Sequence, residues 1–234
     1  KNNLYALNIT KKDISSEDQV LMVEGYMDVI SLYQNGIHNV TASLGTALTE
    51  NQGRLISRYT KNVVLSYDAD NAGINAAMRG IDIIRKAECD VRILQINDGK
   101  DPDEFVRKNG KEAFLELIRN AVPATDFRLS VLRRGFDFKS DDQVLEYIRR
   151  CVPVLEQLSP VEQDIYIRNL SEEFGISEYA IAGEIRADSG KQAARVPQYR
   201  NRRERSQGSS TEVRMDFTFL VLAMANRYYV KRME

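Results

Sequence analysis

Six acidic side chains stand at three similar places in the first half of the chain. They are Glu24 and Asp28, then Asp68 and Asp70 in a D-x-D pair, then Asp101 and Asp103 in the segment GKDPDEF. Each place follows a short apolar run of the kind that forms a buried strand. In an open parallel sheet the carboxyl ends of the strands line one crevice, where ligands bind. We therefore expect the six carboxylates to converge on one rim of a sheet.

Carboxylates gathered in this way repel one another, since two unit charges about 4 Å apart cost roughly 4 kcal/mol at an effective dielectric of about 20. Protonation relieves this repulsion by neutralising a carboxylate, and a bound divalent cation relieves it as well. Oxygen ligands without a local His or Cys select Mg²⁺ or Mn²⁺ rather than zinc. Sites of this kind most often act on phosphates, with two cations on the attacking and leaving oxygens.

Each acid also has an ordinary structural interpretation when it is taken alone. An Asp after a strand commonly caps a helix, a single D-x-D pair occurs by chance, and Asp101-Pro102-Asp103 is typical of a turn. Lys100 and Lys108 are candidate ion-pair partners for the neighbouring acids. The three places together, at equivalent strand ends, predict a metal site.

The elements that position these acids alternate between strands and helices. Apolar runs and helical spacing predict strands at 20–23, 37–42, 63–65 and 91–96 and helices at 27–35 and 71–86. A further helix begins after Thr49, because Thr49 to Gln52 has the form of a capping box. Strands that alternate with helix-length connections predict an α/β domain in residues 1–110, with a mostly parallel sheet covered by helices.

After residue 110 the pattern changes to helices, which predicts a small helical bundle in residues 111–188. Pro153 is expected to kink or end one helix, and Ser159, Pro160 and Glu162 form a strong start signal for the next. Residues 189–211 are rich in Ser, Gly, Gln and Arg and nearly free of large apolar side chains, which predicts a flexible linker. Apolar residues in 212–234 predict one more helix.

Composition excludes several classes of protein. The chain has 234 residues, with 33 Lys and Arg against 34 Asp and Glu and a net charge of -1, which argues against a surface that grips nucleic acid everywhere. No apolar run approaches the roughly 18 residues of a membrane span, and the first residues lack the features of a secretory signal. Cys89 and Cys151 form no disulfide framework, which favours the cytoplasm, and His38 alone beside them argues against a zinc site.

Four segments together resemble one family. EGYMD at 24–28, SLGT at 43–46, YDAD followed by AG at 67–73, and DPDEF at 101–105 are similar to the toprim domain of bacterial DnaG-type replicative primases. A Glu on one strand and a D-x-D on a later one are also found in topoisomerases and some nucleases, whereas the other segments are more specific to primases. The resemblance covers residues 4–120 and continues with less specificity through the helical bundle.

The resemblance implies template-directed synthesis of short RNA primers on single-stranded DNA from ribonucleoside triphosphates. It implies that Glu24, Asp68 and Asp70 are the catalytic residues and principal ligands of Mg²⁺ or Mn²⁺. It further implies that Asp28, Asp101 and Asp103 support them or hold a second ion. Glu24 is also implied to assist proton transfer from the 3′-hydroxyl of the RNA primer.

The family also has an N-terminal zinc-binding domain and a basic subdomain that holds the template, and neither pattern is found in this sequence. The family ends in a domain that binds the replicative helicase, and residues 212–234 resemble the beginning of that domain. We therefore expect a monomeric piece from the middle of a cytoplasmic primase, which binds the cation but makes primer poorly by itself. The alternatives are a toprim nuclease that cleaves phosphodiesters and a module that docks on the helicase.

Overall fold

The computed structural model describes residues 2–43, 47–67, 70–96 and 101–195, and for residues 188–195 it describes the backbone alone. The chain divides into two compact units, Lys1–Ala193 and Ala194–Glu234. The fold below is that of the first unit, since nearly all of the second lies outside the described residues. The helix predicted within 212–234 lies outside them as well.

A five-stranded sheet forms the centre of the first unit. Its strands are β1 (Val20–Val23), β2 (Val40–Ala42), β3 (Asn62–Ser66), β4 (Asp90–Leu94) and β5 (Val122–Pro123), in the spatial order β2-β1-β3-β4-β5. Neighbouring strands among the first four are parallel, and β5 runs antiparallel to β4. The predicted mostly parallel sheet is therefore confirmed. Strand β5 was not predicted, because two residues that include a proline carry no readable strand pattern.

Nine helices follow or precede these strands within the described residues. They are α1 (Leu7–Ser16), α2 (Tyr26–Gln34), α3 (Glu50–Ile56), α4 (Asn71–Lys86), α5 (Pro102–Arg119), α6 (Ala124–Leu132), α7 (Asp141–Leu155), α8 (Pro160–Phe174) and α9 (Glu178–Arg195). The capping box predicted at Thr49 is present, with Gln52 accepting a hydrogen bond from the Thr49 amide at 2.9 Å. Helix α1 was not predicted from the sequence.

Helices cover both faces of the sheet. The side chains of each strand alternate between the two faces, so apolar side chains on both faces need covering. Val63 and Leu65 of β3 join a core with α1, α3, α4 and α6, which we call the α4 face. Val64 of the same strand joins a second core with α2 and α5, which we call the α5 face. This double coverage explains why β1, at the centre of the parallel strands, is a continuous apolar run.

The boundaries between the predicted parts differ in detail from the structure. The boundary predicted after residue 110 falls inside α5, where Gly110 has φ 82° and separates two helical stretches. Phe114 and Ile118, beyond that glycine, still pack in the core of the α5 face. Helix α9 continues to Arg195, so residues 189–195 of the predicted linker are helical, and the rest of the linker lies outside the described residues.

The helical bundle has its own core, made by α7, α8 and α9 with Leu129 of α6. The predicted start of α8 is confirmed, since the Ser159 amide donates to Glu162 Oε2 at 2.9 Å and the Ser159 hydroxyl accepts from the Glu162 amide. Gly175, with φ 65°, ends α8 in the left-handed region that glycine adopts readily. Helix α7 continues through Pro153 and ends two residues later, at Leu155.

The side chains of two arginines, Arg128 and Arg85, join α6 to α4. The Arg128 side chain of α6 is 4% exposed, pairs with Asp82 of α4 and donates to Gln157 Oε1 at 2.9 Å. Arg85 of α4 donates to Thr125 Oγ1 at 2.8 Å. Burial, and after it the positive charge of Arg128, lower the pKa of Arg85. Asp82 therefore supplies negative charge to a junction in which two guanidinium groups repel each other.

None of the helices in the described ranges has both the length and the apolar character that crossing a membrane requires.

The junction predicts an unequal cost for two acidic substitutions. Asp82 is 57% exposed, but Asp82→Ala leaves the buried Arg128 charge without its carboxylate, and we expect the free energy of unfolding to fall by about 1 kcal/mol or more. Asp164→Ala removes an ion pair with Arg168 whose side chains are 63% and 54% exposed, and we expect a change within about 0.5 kcal/mol. Urea denaturation of both variants measures the difference. Equal costs would contradict the role assigned to Asp82.

Candidate metal centre

The carboxyl ends of three adjacent parallel strands meet at one edge of the sheet. Met22 of β1 lies opposite Leu65 of β3, and Leu65 lies opposite Ile93 of β4. The chain segments that leave these strands therefore begin side by side. We call this edge the acidic rim, and its described acidic residues are Glu24, Asp28, Asp70, Asp101 and Asp103. Asp68, the sixth predicted residue, lies outside the described residues.

Glu24 and Asp28 stand where β1 gives way to α2. Glu24 is exposed, while Asp28 is 9% exposed in the first turn of α2. The Gly25 amide donates to Asp28 Oδ2 at 3.1 Å, which fixes the orientation of that carboxylate. A Cβ atom on Gly25 would lie 3.0 Å from the same oxygen, so the absence of a side chain there permits the close approach.

Asp70 and Asp101 begin helices, as their ordinary structural interpretation requires. Asp70 Oδ1 accepts a hydrogen bond from the Gly73 amide at 2.7 Å at the start of α4. Asp101 Oδ1 accepts one from the Glu104 amide at 2.8 Å at the start of α5. The partial positive charge of each helix N-terminus stabilises the negative charge of its cap. A cap uses one oxygen of the carboxylate, so capping and cation binding by the second oxygen are compatible.

Asp103 has an unusual surrounding for a carboxylate. Its Oδ1 atom lies 2.7 Å from Nε of Arg107, one helical turn further along α5. This ion pair lacks hydrogen-bond geometry, and Oδ1 is buried without a hydrogen-bond partner. Arg107 was not singled out from the sequence, where Lys100 and Lys108 were considered, although i,i+4 spacing marks it as a partner. Lys100 lies outside the described residues.

The pKa of Tyr67, which follows β3, depends on the charge of Glu24, which follows β1. Tyr67 directly precedes Asp68 on the chain segment that leaves β3. Burial, and after it the negative charge of Glu24, raise the pKa of Tyr67 to about 12, against an opposing effect of Arg79. Glu24 of the β1 segment therefore acts through space on the β3 segment. Sequence reasoning did not single out Tyr67 in this role.

A cavity of about 290 Å³ opens at the same strand ends, on the α4 face. Tyr67, Gly73 and Ile96 line it beside the rim, and Phe127 of α6 and Arg134 of the turn after α6 line it from the other side. Arg134 was missed in the sequence because it lies far from the motifs. The cavity brings one positive charge close to the edge where the acids gather.

The oxygen donors of the rim fit a hard divalent cation in kind. All are carboxylates, and the buried Asp103 Oδ1 atom has an unused acceptor position. Among the residues that the structure describes, no three His, Cys, Asp or Glu side chains come close enough together to hold a metal ion. The predicted ligand set includes Asp68, so the shared site stays a prediction.

The two functions of Asp70 can be separated by substitution. Asp70→Asn keeps a good helix cap, and we expect the free energy of unfolding to stay within about 0.5 kcal/mol, whereas Asp70→Ala loses about 1 kcal/mol. Both variants remove the negative charge, so both should weaken cation binding to a similar degree. Thermal denaturation in EDTA and titration with Mn²⁺ measure the two effects. Undiminished Mn²⁺ binding in both variants would mean that Asp70 is only a cap.

Two family models match the chain. Residues 21–106 match a model described as Toprim-like, and residues 125–178 match one described as the DnaB-helicase binding domain of primase. The first match contains β1 except for its first residue, then β2 to β4 and the whole acidic rim. The second covers most of α6, then α7 and α8. It stands apart from residues 212–234, in which the sequence suggested the beginning of a helicase-binding domain.

Curated and solved relatives agree with these matches. The DNA primase of Clostridium acetobutylicum is 50% identical over 189 residues, which are 81% of this chain and 32% of that protein. The catalytic core of the Escherichia coli primase superposes with a TM-score of 0.65 at 33% identity, covering 75% of this chain and 57% of that one. A DnaG primase catalytic domain bound to single-stranded DNA gives a TM-score of 0.65 at 31% identity, covering 76% and 58%.

The chain thus spans about a third of the length of the curated relative that it matches at 50% identity. Its sheet, its acidic rim and the helices that follow all lie within the matched part. The chain belongs to the bacterial DnaG-type DNA primases, in which it corresponds to the toprim-containing portion of the catalytic core.

Proposed function

We propose that this chain supplies the metal-binding catalytic residues for RNA primer synthesis on single-stranded DNA. The reaction is metal-dependent nucleotidyl transfer during DNA replication in the bacterial cytoplasm. The observation that supports it best is the acidic rim at the ends of three adjacent parallel strands, in a chain of the primase family. Its template is single-stranded DNA, its substrates are ribonucleoside triphosphates, and it acts as a monomer.

In this proposal Glu24, Asp68 and Asp70 hold Mg²⁺ or Mn²⁺. When bound, the cation neutralises the triphosphate and activates the 3′-hydroxyl of the RNA primer. Glu24, which is exposed at the end of β1, assists the transfer of the proton that leaves the 3′-hydroxyl. The Gly73 amide holds one oxygen of Asp70 and so orients the other.

The remaining acids support these residues or hold a second cation. Asp28 is oriented by the Gly25 amide, and Asp101 by the Glu104 amide. Asp103 carries the buried oxygen without a hydrogen-bond partner. Carboxylates held in place before the cation arrives lose little conformational entropy on binding, which favours affinity.

The cysteines argue against a zinc centre in the described residues. Cys89 packs in the core of the α4 face and Cys151 in the core of the bundle, so they belong to separate cores. Burial raises the pKa of both thiols, that of Cys151 to about 11. A neutral thiol is a poor metal ligand, whereas carboxylates suit Mg²⁺ and Mn²⁺.

A chimera tests the proposed activity directly. The matched 189 residues of the Clostridium acetobutylicum primase can be replaced by the aligned residues of this chain, which are 50% identical. We expect the chimera to make labelled RNA primers on single-stranded DNA with Mg²⁺ or Mn²⁺. We expect Asp68→Asn in the chimera to reduce synthesis by at least about a hundredfold, since it removes a ligand charge.

The controls of this experiment separate folding from catalysis. Asp164→Asn, on the exposed side of α8, should leave synthesis unchanged. A chimera that melts cooperatively at the temperature of the parent primase but makes no primer would contradict the proposal. Cleavage of labelled single-stranded DNA by the chain with Mn²⁺, abolished by Asp68→Asn, would favour a toprim nuclease instead.

Helicase docking is a second candidate function, favoured by the family match over residues 125–178. Within that range three large apolar side chains are exposed, Leu145 at 47%, Val161 at 72% and Ile165 at 50%. Val161 and Ile165 lie four residues apart on α8, so they share one face of the helix. An exposed apolar stripe on a polar helix is typical of a protein contact.

Charge introduced on this stripe should weaken helicase binding. We expect Val161→Glu with Ile165→Glu to raise the Kd for a DnaB-type helicase at least tenfold, because two buried contacts would become charged. Ile9→Glu, at a site on α1 that is 59% exposed, is the matched control and should leave the Kd unchanged. Surface plasmon resonance measures the Kd of the unsubstituted whole chain and of both variants. Equal losses in both variants would place the contact elsewhere.

A further inference from the structure

Ser66 carries a buried hydroxyl group that the proposed chemistry has not used. Ser66 is the last residue of β3 and is 1% exposed. Within the part of the chain that the structure describes, its Oγ atom has no hydrogen-bond partner. A buried hydroxyl without a partner loses its hydration and gains nothing in return, so nearly all such groups in folded proteins are satisfied.

The position of Ser66 in the sheet tells which way this hydroxyl points. Side chains alternate along a strand, so Ser66 shares the α5 face with Val64. It lies opposite Leu94 of β4, and Leu94 also packs in that core. Ser66 is thus the last residue of β3 whose side chain lies on the α5 face, and β3 ends there at the acidic rim.

The two helices on this face bring acids to the same end. Asp28 lies in the first turn of α2, and Asp103 lies in the first turn of α5. Each helix packs on the sheet through residues that follow its acid, Val29 in α2 and Val106 in α5. Ser66, Asp28 and Asp103 therefore belong to elements that begin or end at the carboxyl ends of the strands on the α5 face.

Ser66 Oγ and Asp103 Oδ1 are complementary in hydrogen bonding. Both are buried and lack a hydrogen-bond partner, and the first is a donor while the second is an acceptor. No hydrogen bond joins the two atoms. Both atoms would be satisfied by a third group that accepts a hydrogen bond from the serine hydroxyl. That group would either donate a hydrogen bond to the carboxylate or be coordinated by it.

We infer that Ser66 is a positioning residue of the metal centre. Its hydroxyl donates a hydrogen bond to an oxygen that binds the cation, either a water molecule on the cation or a carboxylate of Asp28 or Asp103. This role resembles that of the hydrogen-bonding groups that orient ligands around protein metal sites, whose loss typically lowers metal affinity 10- to 100-fold. The inference rests on the proposed cation site and adds to it a residue without charge.

The decisive variant is Ser66→Ala, which removes the hydroxyl and keeps the packing volume nearly unchanged. We expect its Kd for Mn²⁺ to rise about tenfold, measured by electron paramagnetic resonance of free Mn²⁺ on the whole chain. Without cation, in EDTA, its melting temperature should stay equal to that of the unsubstituted chain or rise. A hydroxyl without a partner contributes nothing to the stability of the cation-free protein.

Thr60→Ala is the matched control at the other end of the β3 segment. Thr60 is 5% exposed and donates to Asp18 Oδ1 at 2.9 Å. Its loss should lower the melting temperature in EDTA and leave the Kd for Mn²⁺ unchanged. Ser66→Ala is therefore expected to weaken Mn²⁺ binding without loss of stability, and Thr60→Ala to lower stability without loss of Mn²⁺ binding.

The outcomes distinguish this inference from the function on which it rests. An unsubstituted chain that does not bind Mn²⁺ would contradict the proposed function itself. If that chain binds Mn²⁺ and Ser66→Ala binds it equally well, the inference about Ser66 is overturned and the function stands. A marked loss of stability of Ser66→Ala in EDTA would also overturn it, because the hydroxyl would then have a partner in the cation-free protein.

Discussion

The parallel register of β1, β3 and β4 is the constraint on which the rest of the structure depends. The register of β1, β3 and β4 brings their carboxyl ends side by side, and acids follow each of these strands. The fold holds most of these carboxylates in place before any cation binds. It does so with backbone amides, which donate to Asp28, Asp70 and Asp101, and with the Arg107 guanidinium beside Asp103.

These contacts give four of the acids a structural role, beside the chemical one that we propose. A capping carboxylate is fixed by one oxygen, and its second oxygen keeps a defined direction. Two buried atoms have no hydrogen-bond partner in the described residues, Ser66 Oγ at the end of β3 and Asp103 Oδ1 in the first turn of α5. Departures of this kind from full hydrogen bonding are typical of functional sites.

Much of this was predictable from the sequence because local signals were strong. The apolar run of β1 and the cap at Asp70 mark elements that the structure has at 20–23 and 71–86. The ion pair of Arg128 with Asp82 joins residues 46 positions apart, so no local sequence pattern could predict it. Likewise, the orphaned state of Ser66 depends on what surrounds it in three dimensions. The proximity of the six acids to one another stays a prediction, since it requires Asp68.

The most direct test of the central claim is a crystal structure of the chain with Mn²⁺, using the anomalous signal of the metal. The account predicts an anomalous peak at the acidic rim, coordinated by Glu24, Asp68 and Asp70 together. Separated carboxylates at the rim, with no peak between them at saturating Mn²⁺, would contradict it.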